Sequence, residues 1–146
     1  MVRLEFSIEI ERPAEEVYTL VSDPENDVKW QSAVLAVRKV TPGPVRAGSQ
    51  YRHTLSVLGK RMEVAVEISE RNPHASYVLN CVSGPLAFET RVELRRAGRG
   101  TIVNTVVEGR PTGVVRIAAV ALSHHRRGEI DRDMRTLKRM MEAGEL

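Results

Sequence analysis

The residues most able to do chemistry crowd into one stretch near the end of the chain, ALSHHRRGEIDRD. It holds His124 and His125, Arg126 and Arg127, and the carboxylates Glu129, Asp131 and Asp133. Such a group could bind a metal, move protons or hold an anion, but only if its members face one point. Adjacent histidines on a helix point apart, whereas a metal pair needs rings one turn from each other. No glutamate-bearing metalloprotease spacing accompanies them, so no metal site is expected. The other reactive side chains are scattered: His53, Cys81, Tyr51 and Tyr77. There is no G-x-S-x-G turn, phosphate loop or dinucleotide fingerprint, and no cofactor is expected. A single cysteine leaves no partner for an internal disulfide and no cysteine-rich zinc site.

What these residues can do depends on the elements that aim them. Leu4, Phe6, Ile8 and Ile10 alternate with Arg3, Glu5, Ser7 and Glu9, which predicts a strand with one dry face. Pro13 stops it, and AEEVYTLV reads as a short helix with Val17, Leu20 and Val21 on one side. Asp23 is a suitable cap for a second short helix, PENDVKW, ending near Trp30. Strands follow at VLAVRKV, QYRHTLSVL, RMEVAVEISE, SYVLNCV, LAFETRVELRR and TIVNTVVEG, separated by turns rich in glycine and proline. Met62, Val64, Val66 and Ile68 mark the dry side of one strand, and Leu86, Phe88, Val92 and Leu94 that of another. The alternate positions are largely charged, so one face of the sheet is wet and the other covered.

From about residue 111 to 142 the pattern turns helical. Ile130, Met134, Leu137 and Met141 form one stripe, and Gly128 is a possible bend. With about 100° per residue, Ser123 and Arg126 share the sector of that stripe. His124 and His125 fall more than about 100° away from it, on the wet side.

The totals fit a single domain over residues 1–146. With 42% hydrophobic and 28% charged residues, the chain has enough apolar material for a core and is soluble in character. A net charge of +3 with acids interleaved throughout does not make the one-sided basic face that nucleic acid requires. No apolar run approaches the ~20 residues of a membrane span, and the N-terminal alternation is not a signal peptide. A cytoplasmic location is therefore expected.

In order, these elements resemble the START-like or SRPBCC superfamily, in its polyketide cyclase/dehydrase and lipid-transport branch. The resemblance rests on FSIEIERPAEEVYTLVSDPENDVKW, LGKRMEVAVEI, SGPLAFETRVEL and EIDRDMRTLKRMMEA, and it covers nearly the whole chain. It implies an α+β helix-grip fold: a curved antiparallel sheet of about six to seven strands wrapped around a long C-terminal helix. Two short helices would follow the first strand, and an internal cavity would lie between sheet and helix.

Strand parity then names the residues that would face such a cavity. Tyr51, Leu55 and Val57 share a face with His53, and Met62 lies on the dry face of the next strand. Phe88 and Thr90, with Val103, Thr105 and Val107, point inward from later strands. The resemblance favours Tyr77, Leu79 and Cys81 inward, and Trp30 at the mouth. With Ser123 and Arg126 from the helix, these make a mostly apolar wall with a few polar groups, as a small-molecule pocket should have. No inward Asp or Glu is apparent. His53 is either a hydrogen-bonded wall residue or an acid–base group, and Tyr51 and Tyr77 would bury their rings with the hydroxyls near the rim. Cys81 reads as a small apolar residue. Arg126 either reaches the rim or pairs with a carboxylate, or it binds an anionic ligand at the mouth.

The function expected first is binding of a hydrophobic or aromatic small molecule, as carrier or sensor, by a monomer or homodimer. The resemblance offers a polyketide cyclase, aromatase or dehydrase as the alternative, with His53, Tyr51 and Arg126 as the candidate catalytic residues. A third reading is a protein-interaction module that uses the wet face around HHRRGE, Asp131 and Arg135.

Overall fold

The structure, a computed structural model, describes residues 2–57, 59–83, 88–109 and 115–146; the side chains of 2, 57 and 115–126 lie outside that description. Strand β1, Val2–Ile10, leads through Pro13 into helix α1, Ala14–Val21. Burial along β1 follows its alternation, with Leu4, Phe6 and Ile10 inside and Arg3, Glu5 and Glu9 outside. Pro13 takes the extended conformation of an N-cap, and Glu15 and Glu16 in the first turn suit the positive end of the helix. Val17, Tyr18 and Val21 bury one side of α1.

The second short helix is present and is of the tighter 3-10 type. Pro24–Lys29 is a 3-10 helix, capped where the Asp23 carboxylate accepts a hydrogen bond from the Glu25 amide at 3.1 Å. Six residues with proline first give too few α-type bonds to hold the wider turn.

Six further strands complete the sheet: β2 (Val34–Lys39), β3 (Gln50–Val57), β4 (Lys60–Asn72), β5 (Ser76–Ser83), β6 (Phe88–Ala97) and β7 (Gly100–Gly109). All seven are antiparallel to their neighbours in the order β1-β7-β6-β5-β4-β3-β2, so the chain returns to place its last strand beside its first. Register shifts within β4, at Ala65/Val66 and Ile68/Glu70, mark places where an extra residue bends and twists the strand. One glycine is dictated by contact: a Cβ on Gly100 would lie 2.6 Å from the Ile10 carbonyl oxygen.

Helix α2, Val115–Glu142, runs against β1 and passes Gly128 without interruption. Met134, Leu137 and Met141 enter a cluster with Phe6, Tyr18, Tyr77, Val92 and Val103, as the stripe predicted. The end of α2 is pinned to the start of the chain. Arg12 donates to the carbonyls of Met141 and Glu142, the Glu142 carboxylate accepts from the Glu11 amide, and Lys138 donates to the Glu9 carbonyl. The Arg12 bonds satisfy carbonyls that a helix end leaves open. The helix-grip arrangement expected from the sequence is thus present, with seven strands. Among the described residues, no helix is long and apolar enough to cross a membrane.

Candidate functional site around Asp27 and His53

Strand β3 turns Tyr51 and His53 to the covered side, where both are buried. Their partners in register on β4 are Val66 and Val64, which are buried as well. None of these four belongs to the cluster that packs α1 and α2 onto β1, β5, β6 and β7. The covered face therefore has a second region, over β3 and β4, distinct from the main core.

The 3-10 helix delivers a carboxylate to this region. Asp27 is only 5% exposed, as is His53, and the Asp27 Oδ2 lies 3.1 Å from His53 Nε2. This corrects the expectation that no acid lies inside. Strand parity could not reveal Asp27, because a residue on a short helix has no strand alternation to read. Burial drives the Asp27 pKa from 3.8 up to about 6, against the pull of the hydrogen bond and charge of His53, while Asp23 raises it further. Above about pH 6 the group is a carboxylate and acts as a hydrogen-bond acceptor only.

Three other bonds fix the frame around the pair. The Tyr77 hydroxyl donates to the Val21 carbonyl at 3.0 Å, tying the end of α1 to β5. The Tyr18 hydroxyl donates to the Ser76 carbonyl, and the Ser32 amide donates to the Asp133 carboxylate on α2 at 3.1 Å. Asp133, also buried, is a second interior acid that the strand reading did not reach. The segment between α1 and β2 is thus held from the sheet by His53 and from the helix by Asp133.

Several polar atoms here are buried without a hydrogen bond among the described residues: His53 Nδ1, Trp30 Nε1, the Tyr51 hydroxyl and Ser22 Oγ. Tyr51 feels the nearby Ser49 hydroxyl but makes no bond of normal geometry with it. Buried groups of this kind are rare in folded chains, so these call for a partner.

The expected site residues divide by these contacts. Tyr51 and His53 come together on β3, and Trp30 follows the 3-10 helix that carries Asp27. Met62, Leu79, Phe88 and Thr90 are half-buried on the covered parity, and Thr105 is buried. The Tyr77 hydroxyl is committed to Val21 rather than placed at a rim, and Tyr51 is fully enclosed. Burial raises both phenols, Tyr51 to about 12, so neither is a ready phenolate. Cys81 is half-buried with its Sγ 3.3 Å from the Ser83 carbonyl oxygen, and burial pushes its thiol up, away from nucleophilic use. The side chains of Ser123, His124, His125 and Arg126 lie outside the described residues, as does all of Leu86. Arg127 stacks its guanidinium over the Phe6 ring at 5.8 Å, and Arg135 pairs with Asp131 one turn away. Among the described residues, no group of three metal-ligating side chains comes together.

Comparison with known proteins adds the wider setting. Residues 1–142 match the family model described as polyketide cyclase / dehydrase and lipid transport. A START superfamily protein from Mycobacterium smegmatis superposes with a TM-score of 0.80 at 13% identity, covering 95% of this chain and 98% of its own. A protein from Thermus thermophilus gives 0.80 at 18% identity, covering 99% and 100%. The major latex-like protein 151 of Panax ginseng gives 0.64 at 15% identity, covering 90% and 97%. At these identities the likeness concerns the fold. A comparison with curated proteins finds no match.

Proposed function

Because the chain belongs to the polyketide cyclase / dehydrase and lipid transport family, we propose that it binds an apolar or aromatic small molecule between the sheet and the C-terminal helix. The observation that carries this reading is the pair of buried polar atoms without partners among the described residues, on Tyr51 and His53, beside the apolar surface of Val66 and Val64, with a third on Trp30 at the edge of the main core. Apolar walls with a few unsatisfied polar groups are what a small ligand completes. Met62, Phe88, Thr90, Thr105 and Cys81 extend the same wall, with Ser123 and Arg126 assigned to it from the helix. The test is native mass spectrometry of the purified protein, with organic extraction of whatever is bound. A stoichiometric organic ligand, or saturable uptake of an added hydrophobic dye, is the expected result. A protein that carries nothing and takes up no dye contradicts the reading.

A second reading, cyclisation of a poly-β-ketone, is favoured by the Asp27–His53 pair. An imidazole held by a carboxylate is an oriented base. His53 Nδ1 would take a proton from a carbon flanked by two carbonyls and leave an enolate, which Arg126 would stabilise. Replacing His53 by Ala or Arg126 by Ala then changes the product distribution from a poly-β-ketone substrate. Unchanged products with folding intact would remove this reading.

A further inference from the structure

We propose that the ligand carries a hydroxyl, phenolic or enolic O–H, which it donates to His53 Nδ1, and that Asp27 makes this nitrogen an acceptor. The inference rests on the binding reading above and names the chemistry of its ligand. Its physical basis is the hydrogen-bond inventory of one imidazole. A carboxylate can only accept, so the proton between Asp27 Oδ2 and His53 Nε2 belongs to the ring nitrogen. A neutral ring with its proton there has a bare lone pair at Nδ1. Geometry thus selects one tautomer, and that tautomer selects a donor.

Asp27 takes the far nitrogen of the ring, leaving free the one nearer the strand backbone. Asp27 is therefore a positioning residue, and His53 is the residue that touches the ligand. A ligand that differs only by methylation of its oxygen keeps its apolar surface but offers no proton, so it loses this bond and leaves Nδ1 unpartnered.

Isothermal titration of the full chain with naphthol and with the methyl ether of the same naphthol reads this directly. The wild type is expected to bind naphthol about tenfold more tightly, the value of one well-formed hydrogen bond in a buried site. His53→Leu keeps an apolar wall and should bring the two affinities together mainly by weakening naphthol. Asp27→Asn, which permits either tautomer, should narrow the preference. Because either variant can disturb folding, the long-range proton–nitrogen NMR spectrum of the wild type gives an independent reading, with the proton of His53 expected on Nε2. Equal binding of the two probes to the wild type overturns the inference and leaves the binding reading standing. A proton found on Nδ1 overturns it as well. Binding of neither probe overturns both.

Discussion

His53 and Asp27, 26 residues apart in sequence, meet at 3.1 Å in the interior, one on strand β3 and the other on the 3-10 helix that precedes β2. This pair fastens the segment between α1 and β2 to the sheet, and it puts a buried carboxylate in contact with a buried imidazole. Removing one partner strands the other, so its energetic effect is felt through pH.

The folded pKa of Asp27 is raised, from 3.8 to about 6, so the folded chain holds this proton more tightly than the unfolded chain. Its stabilising contribution is full below pH 3.8, declines as pH rises toward 6, and is level above that. Asp27→Asn cannot titrate. The difference in urea midpoint, wild type minus variant, should therefore fall between about pH 4 and 6 and stay flat at higher pH. A difference that rises over this range contradicts the assignment; the groups acting on Asp27 are His53 and Asp23, with Tyr77 nearby.

Tyr77→Phe keeps the ring and deletes the hydroxyl that holds the Val21 carbonyl. The carbonyl is then buried without that donor, and a loss of about 1–2 kcal/mol in denaturant unfolding is expected. A variant as stable as the wild type would mean that water or another donor replaces the bond.

Two glycines should respond in opposite directions. Gly100→Ala forces a methyl group against the Ile10 carbonyl where the start of β7 lies beside the end of β1, and should destabilise by about 1–3 kcal/mol. Gly128 lies exposed within α2 with open space around its missing side chain, so Gly128→Ala should stabilise by about 1 kcal/mol. Thermal unfolding of the two variants side by side checks both.

Leu137→Ala empties a position of α2 that is 1% exposed within the main cluster. A loss of about 2–5 kcal/mol is expected from the lost burial and the cavity left behind. Chemical denaturation measures it. A loss below about 1 kcal/mol would show that α2 does not carry the core through this face.

Much of this architecture was legible because strands and helices write their covered faces as periods. Alternation located Tyr51, His53, Val64 and Val66 on the covered side, and the stripe through Met134, Leu137 and Met141 located the buried side of α2. Asp27 was not legible, for a physical reason. In PENDVKW the apolar Val28 is 46% exposed and the charged Asp27 is buried, the reverse of what hydropathy suggests. Only a partner distant in sequence makes that inversion favourable. Asp133 was closer to reach, since it lies about 60° from Ile130 on the helical wheel, inside the covered sector. The rim position expected for the Tyr77 hydroxyl failed because a side chain's parity gives its face and not the carbonyl that awaits its far end. The histidine pair that first draws the eye, His124 and His125, has its side chains outside the described residues.

The central claim, that the covered face takes an apolar ligand, is tested most directly by the fluorescence of Trp30, the only tryptophan in the chain. Its ring packs at the edge of the core, and its indole N–H is buried without a partner among the described residues. Titration with an aromatic apolar probe should change the Trp30 emission along a saturable, one-to-one curve, and the change should be reversed by competing apolar ligand. An emission that stays constant, or drifts linearly with probe without saturating, would contradict a ligand site on this face.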